Sequence, residues 1–306
     1  MTNKFLKTFL NIAFLLLISS CEEEGPYIDF APPRAINDTT YISDTPFVMQ
    51  NKGILIEDFS GVRCPNCPAA ADDAKNIADN NPGRVSIIAI HPLKADLDGL
   101  TKPFIGPPAD DHYSKYDFRT NDGNTILQNL GGTGELPIGA INRKKFPSEN
   151  YLIRRDKWAT YSNSELLDST PVNIYLTGYN FNSTTNELTI KIKIAYTKQV
   201  SDSINLLSIA VIEDDLESVQ ERKSATGSTE FIENYVHMHV LRGMVTSSLG
   251  EKLNASYVPK RVFEKTYKYI MPSNQFSNNP WNKNLEVVVF VHTSLGILHA
   301  QTFKVH

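Results

Sequence analysis

The chain has 306 residues and a formal net charge of −4, from 30 basic and 34 acidic side chains. This mildly acidic balance leaves no electrostatic footprint for nucleic acid, and the length suffices for two domains of ordinary size. No Ser-His-Asp motif, phosphate-binding glycine loop or zinc-protease signature occurs, so hydrolase and nucleotide-binding functions lack support and no cofactor is implied.

At the amino terminus Lys4 and Lys7 precede an apolar stretch, Phe9 to Ile18, interrupted only by Asn11. It is shorter than the roughly 20 residues a helix needs to cross a bilayer, and reads as a secretory signal over residues 1–20. Ile18-Ser19-Ser20-Cys21 follows and resembles the bacterial lipobox, which implies cleavage before Cys21 and lipid attachment to it. Glu22, Glu23 and Glu24 resemble the surface-export signal of Bacteroides-type lipoproteins, or serve as a solvated tether. Residues 21–50, with Pro26, Pro32, Pro33 and Pro46 among many polar residues, are expected to be a lipid-anchored tether.

Gly53 to Phe59 centres on a short apolar run and predicts a buried strand. Then comes Gly61-Val62-Arg63-Cys64-Pro65-Asn66-Cys67-Pro68. Two residues between cysteines suit a redox disulfide or half of a zinc site. A structural zinc needs four ligands, and with Cys21 lipidated no second pair remains, which favours the disulfide. Ala69 to Asn80 is helix-forming, Asn81-Pro82-Gly83 stops it, and Arg84 to His91 predicts a second buried strand. A strand, a helix opening on CxxC and a strand resemble the thioredoxin superfamily.

That superfamily carries a cis-proline facing its CxxC, and Gly134 to Asn142 fits the position, with Pro137 as the cis residue. Asn124 to Leu130 suits a short helix, and residues 150–167 suit the closing helix. The first domain is thus expected over 51–168, with an insertion at 92–135 whose length is typical of functional or mobile loops. Beyond Asp168-Ser169-Thr170-Pro171 the pattern alternates. Val172–Thr177 and Leu188–Ile194 suggest a hairpin, with further strands at Leu206–Ile212, Tyr257–Ile270 and Leu285–Val291. The expected fold class is therefore α/β plus all-β. A thioredoxin-like domain is followed by an antiparallel, Ig-like β-sandwich over 169–306.

The segments Glu57 to Pro68, Asp117 to Thr120, Leu136 to Arg143 and Asn234 to Arg242 together resemble the twenty-eight-kilodalton outer-membrane-protein family of Bacteroides-type lipoproteins. The resemblance implies a lipid-anchored protein of the outer membrane, on either its surface or its periplasmic face. It leaves the activity open, and adhesion is one role proposed for members. If the CxxC is catalytic, Cys64 at the helix start is the nucleophile, favoured as a thiolate by the helix dipole and by Arg63. Cys67 resolves the mixed disulfide, and Pro137 shapes the substrate groove. Its partners would then be thiol or disulfide proteins. The alternative is a surface-binding module stapled by an inert disulfide.

His237 and His239, two apart, would share one face of a strand, and with His91 or His292 would offer a metal site; packed core histidines are the plainer reading. His91, at a strand end, is a candidate for proton transfer. Glu57 and Asp58 precede the CxxC, and one of them would lie beneath it as proton acceptor for Cys67. Trp158 and Trp281 read as core.

Overall fold

Residues 35–132, 134–271 and 284–306 are described by a computed structural model. The expected signal segment, Cys21 and Trp281 lie outside the described residues. In chain order the strands of the first half are β1 (Asn37–Ile42), β2 (Ile54–Phe59), β3 (Val85–Pro92), β4 (Arg119–Thr120) and β5 (Ile138–Ile141). The helices are α1 (Cys67–Asp79), α2 (Asp98–Thr101), α3 (Asn121–Asn129) and α4 (Trp158–Leu166). Ten strands follow: β6 (Val172–Asn182), β7 (Glu187–Tyr196), β8 (Leu206–Glu213), β9 (Leu216–Lys223), β10 (Thr229–His237), β11 (Val240–Met244), β12 (Glu251–Lys252), β13 (Arg261–Ile270), β14 (Leu285–Thr293) and β15 (Gly296–Lys304). Mixed sheets dominate, with few helices.

Every residue of β2 is buried. It runs parallel to β3, with Ile56 opposite Ile87, and antiparallel to β5, with Ile56 opposite Ile141. Such a strand, covered on both faces, explains the unbroken apolar run in its sequence. α1 connects β2 to β3. Ala70, Ala74 and Ile77 fall on one stripe of that helix and pack with Ile56, Ile87 and Trp158, while Cys67 is buried at its start. Pro68 lies in the first turn, where a missing N–H leaves no bond unmade. Gly139 in β5 has a packing reason: a Cβ there would stand 2.4 Å from the Trp158 ring.

The principal sheet has the order β15-β14-β8-β11-β3-β2-β5, with β12 on β8 and β4 on β3. It draws strands from both sides of residue 168. The seam is the parallel pair β11–β3, where Val240 lies opposite Ala89 and the Ala89 N–H donates to the His239 carbonyl at 2.8 Å. All described residues belong to one compact unit. A second sheet, β1-β13-β7-β6, shares an apolar core with β8 and β14, built from residues such as Ile174, Ile190, Ile192, Ile209, Val287 and Val289. β9 and β10 form a separate two-stranded ribbon.

Three expectations need correction. Residues 37–42, part of the tether expected from composition, instead form the exposed edge strand β1. Its residues Asn37 to Ile42 pair with Thr266 to Arg261. Tyr257 lies before the strand expected to contain it. Its buried hydroxyl donates to the Leu253 carbonyl at 2.7 Å, and the chain enters β13 only at Arg261. The closing helix is confined to Trp158–Leu166, because residues 150–154 carry the Gly139–Ile153 bridge beside β5. β9 and β10 had no sequence counterpart, since β10 is largely exposed and polar.

Candidate functional site

The CxxC loop leaves the end of β2. Gly61 permits a crossing that no side chain would, since its Cβ would meet the Leu100 carbonyl oxygen at 2.2 Å. The Cys64 N–H donates to the Gly61 carbonyl and the Cys67 N–H to the Cys64 carbonyl, each at 3.1 Å, winding the loop into α1. The two cysteines form a disulfide with their Cα atoms 5.4 Å apart, and each is about 1 % exposed.

Strand β9 is hydrogen-bonded to the backbone of this loop. The Glu221 N–H donates to the Val62 carbonyl at 2.9 Å and the Lys223 N–H to the Pro65 carbonyl at 2.8 Å. Just before them in β9, the buried Gln220 side-chain amide donates to the carbonyls of Gly61 and Cys64. Arg63 is held on the other side of the loop. Its guanidinium pairs with Asp110 at 2.8 Å, lies 3.8 Å from the Phe104 ring centre and donates to the carbonyls of Lys102 and Pro103. The Leu136–Pro137 bond is cis, as is Pro107–Pro108. Pro137 immediately precedes Ile138, which pairs with Phe59 at the end of β2.

Between α1 and the 235–240 segment lies a cavity of about 770 Å³, lined by Asp58, Cys67, His91, Gln220, Tyr235 and His237 among others. Of the two acids before the CxxC, Asp58 is therefore the one that shares a cavity with Cys67. Glu57 points elsewhere, into a buried ion pair with Arg143 at 2.6 Å. Burial, with a smaller contribution from the charge of Asp73, raises Asp58 to about 7. Burial lowers His91 to about 4 and His237 to about 3, so both rings are uncharged at neutral pH.

The histidine pair is split. His239 has φ +57°, which breaks the strand alternation that would have placed it beside His237. Its ring instead meets Asp214 at 3.2 Å, and the ligand atoms of Asp214, His239 and Glu286 lie within 4.8 Å of one another. Burial opposes protonation of His239, but the hydrogen bond and charge of Asp214 outweigh it and raise its pKa. His237 sits with His91 and Phe118, their rings 6.3 and 4.6 Å away, while His292 bonds Ser208 at 3.0 Å on the β14–β8 pair. Trp158 is fully buried, as expected of a core residue. Gln220, Asp214 and Glu286 carried no motif, and Tyr235 lay in the family-like segment 234–242 with no role of its own; folding brings Gln220 and Tyr235 to the cavity beside Cys67, and Asp214 and Glu286 to His239.

No helix among the described residues is long and apolar enough to cross a membrane. The structure is similar to that of HBP35 of Porphyromonas gingivalis, with a TM-score of 0.61 at 13% identity, covering 85% of this chain and 77% of that one. A protein of Agrobacterium tumefaciens matches with a TM-score of 0.44 at 11% identity, over 84% of this chain and 96% of that one. A domain of the outer membrane lipoprotein Omp28 from Porphyromonas gingivalis matches with a TM-score of 0.30 at 14% identity, over 45% of this chain and 89% of the other. No curated protein matches the sequence. The family model for outer membrane protein Omp28 matches residues 124–305, starting beyond the CxxC loop. Because that match spans more than half of the sequence, the chain belongs to the outer membrane protein Omp28 family, and with it to the outer membrane.

Proposed function

We propose that this chain is a lipoprotein attached through Cys21, whose residues 51–168 act as a thioredoxin-like unit exchanging thiols and disulfides through Cys64 and Cys67. Residues 169–306 supply an Ig-like sandwich as its scaffold. The observation that carries this reading is the shared cavity: a buried carboxyl that titrates near neutrality lines the same space as Cys67. In the exchange, a substrate thiolate attacks the Cys64 sulfur and the Cys64–Cys67 bond breaks. Cys67 leaves as a thiolate and takes a proton from Asp58. A second substrate thiol then attacks the mixed disulfide, releasing Cys64 as a thiol and the substrate as its disulfide. Two substrate thiols are oxidised and the protein disulfide is reduced. Pro137 forms one wall of the substrate groove, and Arg63 orders the loop through Asp110 and Phe104.

A second reading rests on a different fact. Both cysteines are about 1 % exposed beneath β9, as suits an inert staple in a surface-binding module. Titration of the full chain against glutathione redox buffers separates the two, with the alkylation rate of Cys64 followed across pH. A reduction potential well above about −300 mV, with Cys64 titrating below about 8.5, supports exchange. A disulfide that resists reduction overturns it and leaves the binding module.

A further inference from the structure

The cavity beside Cys67 has walls that thiol exchange does not require. Pro68 and Ala71 of α1, Val85 and Ile87 of β3, and Val236 and Met238 of the opposing segment give it an apolar lining. Its volume, about 770 Å³, lies within the roughly 300–1,000 Å³ typical of small-molecule sites. Set among these walls are three buried polar side chains with unmade hydrogen bonds. Asp58 lacks a partner at Oδ1, His91 at both ring nitrogens and His237 at Nε2. Buried polar atoms in native proteins are seldom left this way, and three on one cavity point to an absent partner.

The chemistry of these groups narrows what that partner is. Burial leaves the rings of both His237 and His91 uncharged at neutral pH. Each neutral ring offers one donor and one acceptor nitrogen. A hydroxyl group, which donates once and accepts twice, suits such a pair; an anion gains nothing from two uncharged rings. The rings of Tyr235 and His237, 4.8 Å apart, together with Met238 and Pro68, favour a flat aromatic body.

We propose that the cavity lined by Asp58, His91, His237 and Met238 is a binding site for an uncharged aromatic molecule bearing a hydroxyl group. The site does not depend on exchange at the disulfide, which stays intact throughout the test. Binding of 2-naphthol to the full chain is measured at pH 7 by calorimetry, beside 2-methoxynaphthalene, which keeps the rings but cannot donate a hydrogen bond. Ala71→Trp fills the cavity from a half-buried position on α1, and its thermal unfolding is recorded to confirm that it folds. Expected are saturable 2-naphthol binding, at least tenfold weaker binding of the methoxy compound, and loss of binding in Ala71→Trp. His237→Phe, which keeps a ring but removes both ring nitrogens, is expected to weaken 2-naphthol at least fivefold. Absence of saturable binding to the folded chain, equal binding of the two compounds, or binding unchanged in Ala71→Trp would each overturn the assignment.

Discussion

The side-chain amide of Gln220 donates to the Cys64 carbonyl at 3.3 Å, so a strand from the C-terminal half holds the loop that carries the disulfide. The same amide reaches the Gly61 carbonyl at 3.1 Å. A buried hydrogen bond contributes about 1 kcal/mol, and Gln220→Ala removes two from the loop. The disulfide of this variant should be reduced several-fold faster than wild type at a fixed dithiothreitol concentration, measured by trapping free thiols over time. An unchanged rate would show that the backbone bonds of Glu221 and Lys223 hold the loop unaided.

Asp58 should make the fold less stable at alkaline pH. Its folded value, about 7, lies above the ordinary 3.8, so the native state binds this proton more tightly than the unfolded chain does. The contribution is therefore fully present below about pH 4 and is lost as pH rises through about 7. One pKa unit corresponds to about 1.4 kcal/mol, giving a loss on the order of a few kcal/mol by pH 8. Asp58→Asn, which cannot ionise, should gain on wild type between pH 5 and pH 8 in urea unfolding. A constant difference at the two pH values would contradict a raised Asp58.

The buried histidines act with the opposite sign. Burial, with a smaller contribution from Arg143, lowers His292 to about 3, and His237 lies equally low. Their contribution is present above about 6.5, where the unfolded imidazole is also neutral, and is lost as pH falls towards 3. Between about pH 4 and 6.5 this runs against Asp58. His292→Gln should shorten the acid loss of stability between pH 6.5 and 4, followed by unfolding at matched ionic strength. An acid limb identical to wild type would place the titration on other groups.

The Arg143–Glu57 pair is buried at both ends, with Arg143 also 4.9 Å above the Phe290 ring. Removing one partner leaves a charge in an apolar interior, which costs about 3–5 kcal/mol. Arg143→Met should therefore destabilise strongly, whereas Arg143→Met combined with Glu57→Gln should recover a good part of the loss. A double variant no better than the sum of its parts would show that the two side chains act independently.

Much of this arrangement was legible along the chain, because it depends on residues close in sequence. The apolar run of β2, the one-sided stripe of α1 and the stop at Asn81-Pro82-Gly83 place Cys64 and Cys67 at a helix start between two parallel strands. Alternation in β7 likewise placed Ile190 and Ile192 in the core. What the chain alone left undecided was every relation made across sequence distance. Glu57 and Asp58 are neighbours of equal charge, and only Arg143 on one side and the Cys67 cavity on the other distinguish them. The left-handed backbone at His239 separates it from His237, a turn conformation that neither composition nor spacing announces. The hydrogen bond that braces the disulfide loop comes from Gln220, more than 150 residues away in sequence, on the C-terminal side of the β11–β3 seam. Local propensity sets which segments become strands and helices; which polar groups are buried together depends on how the sheets close, and that is decided only in the tertiary fold.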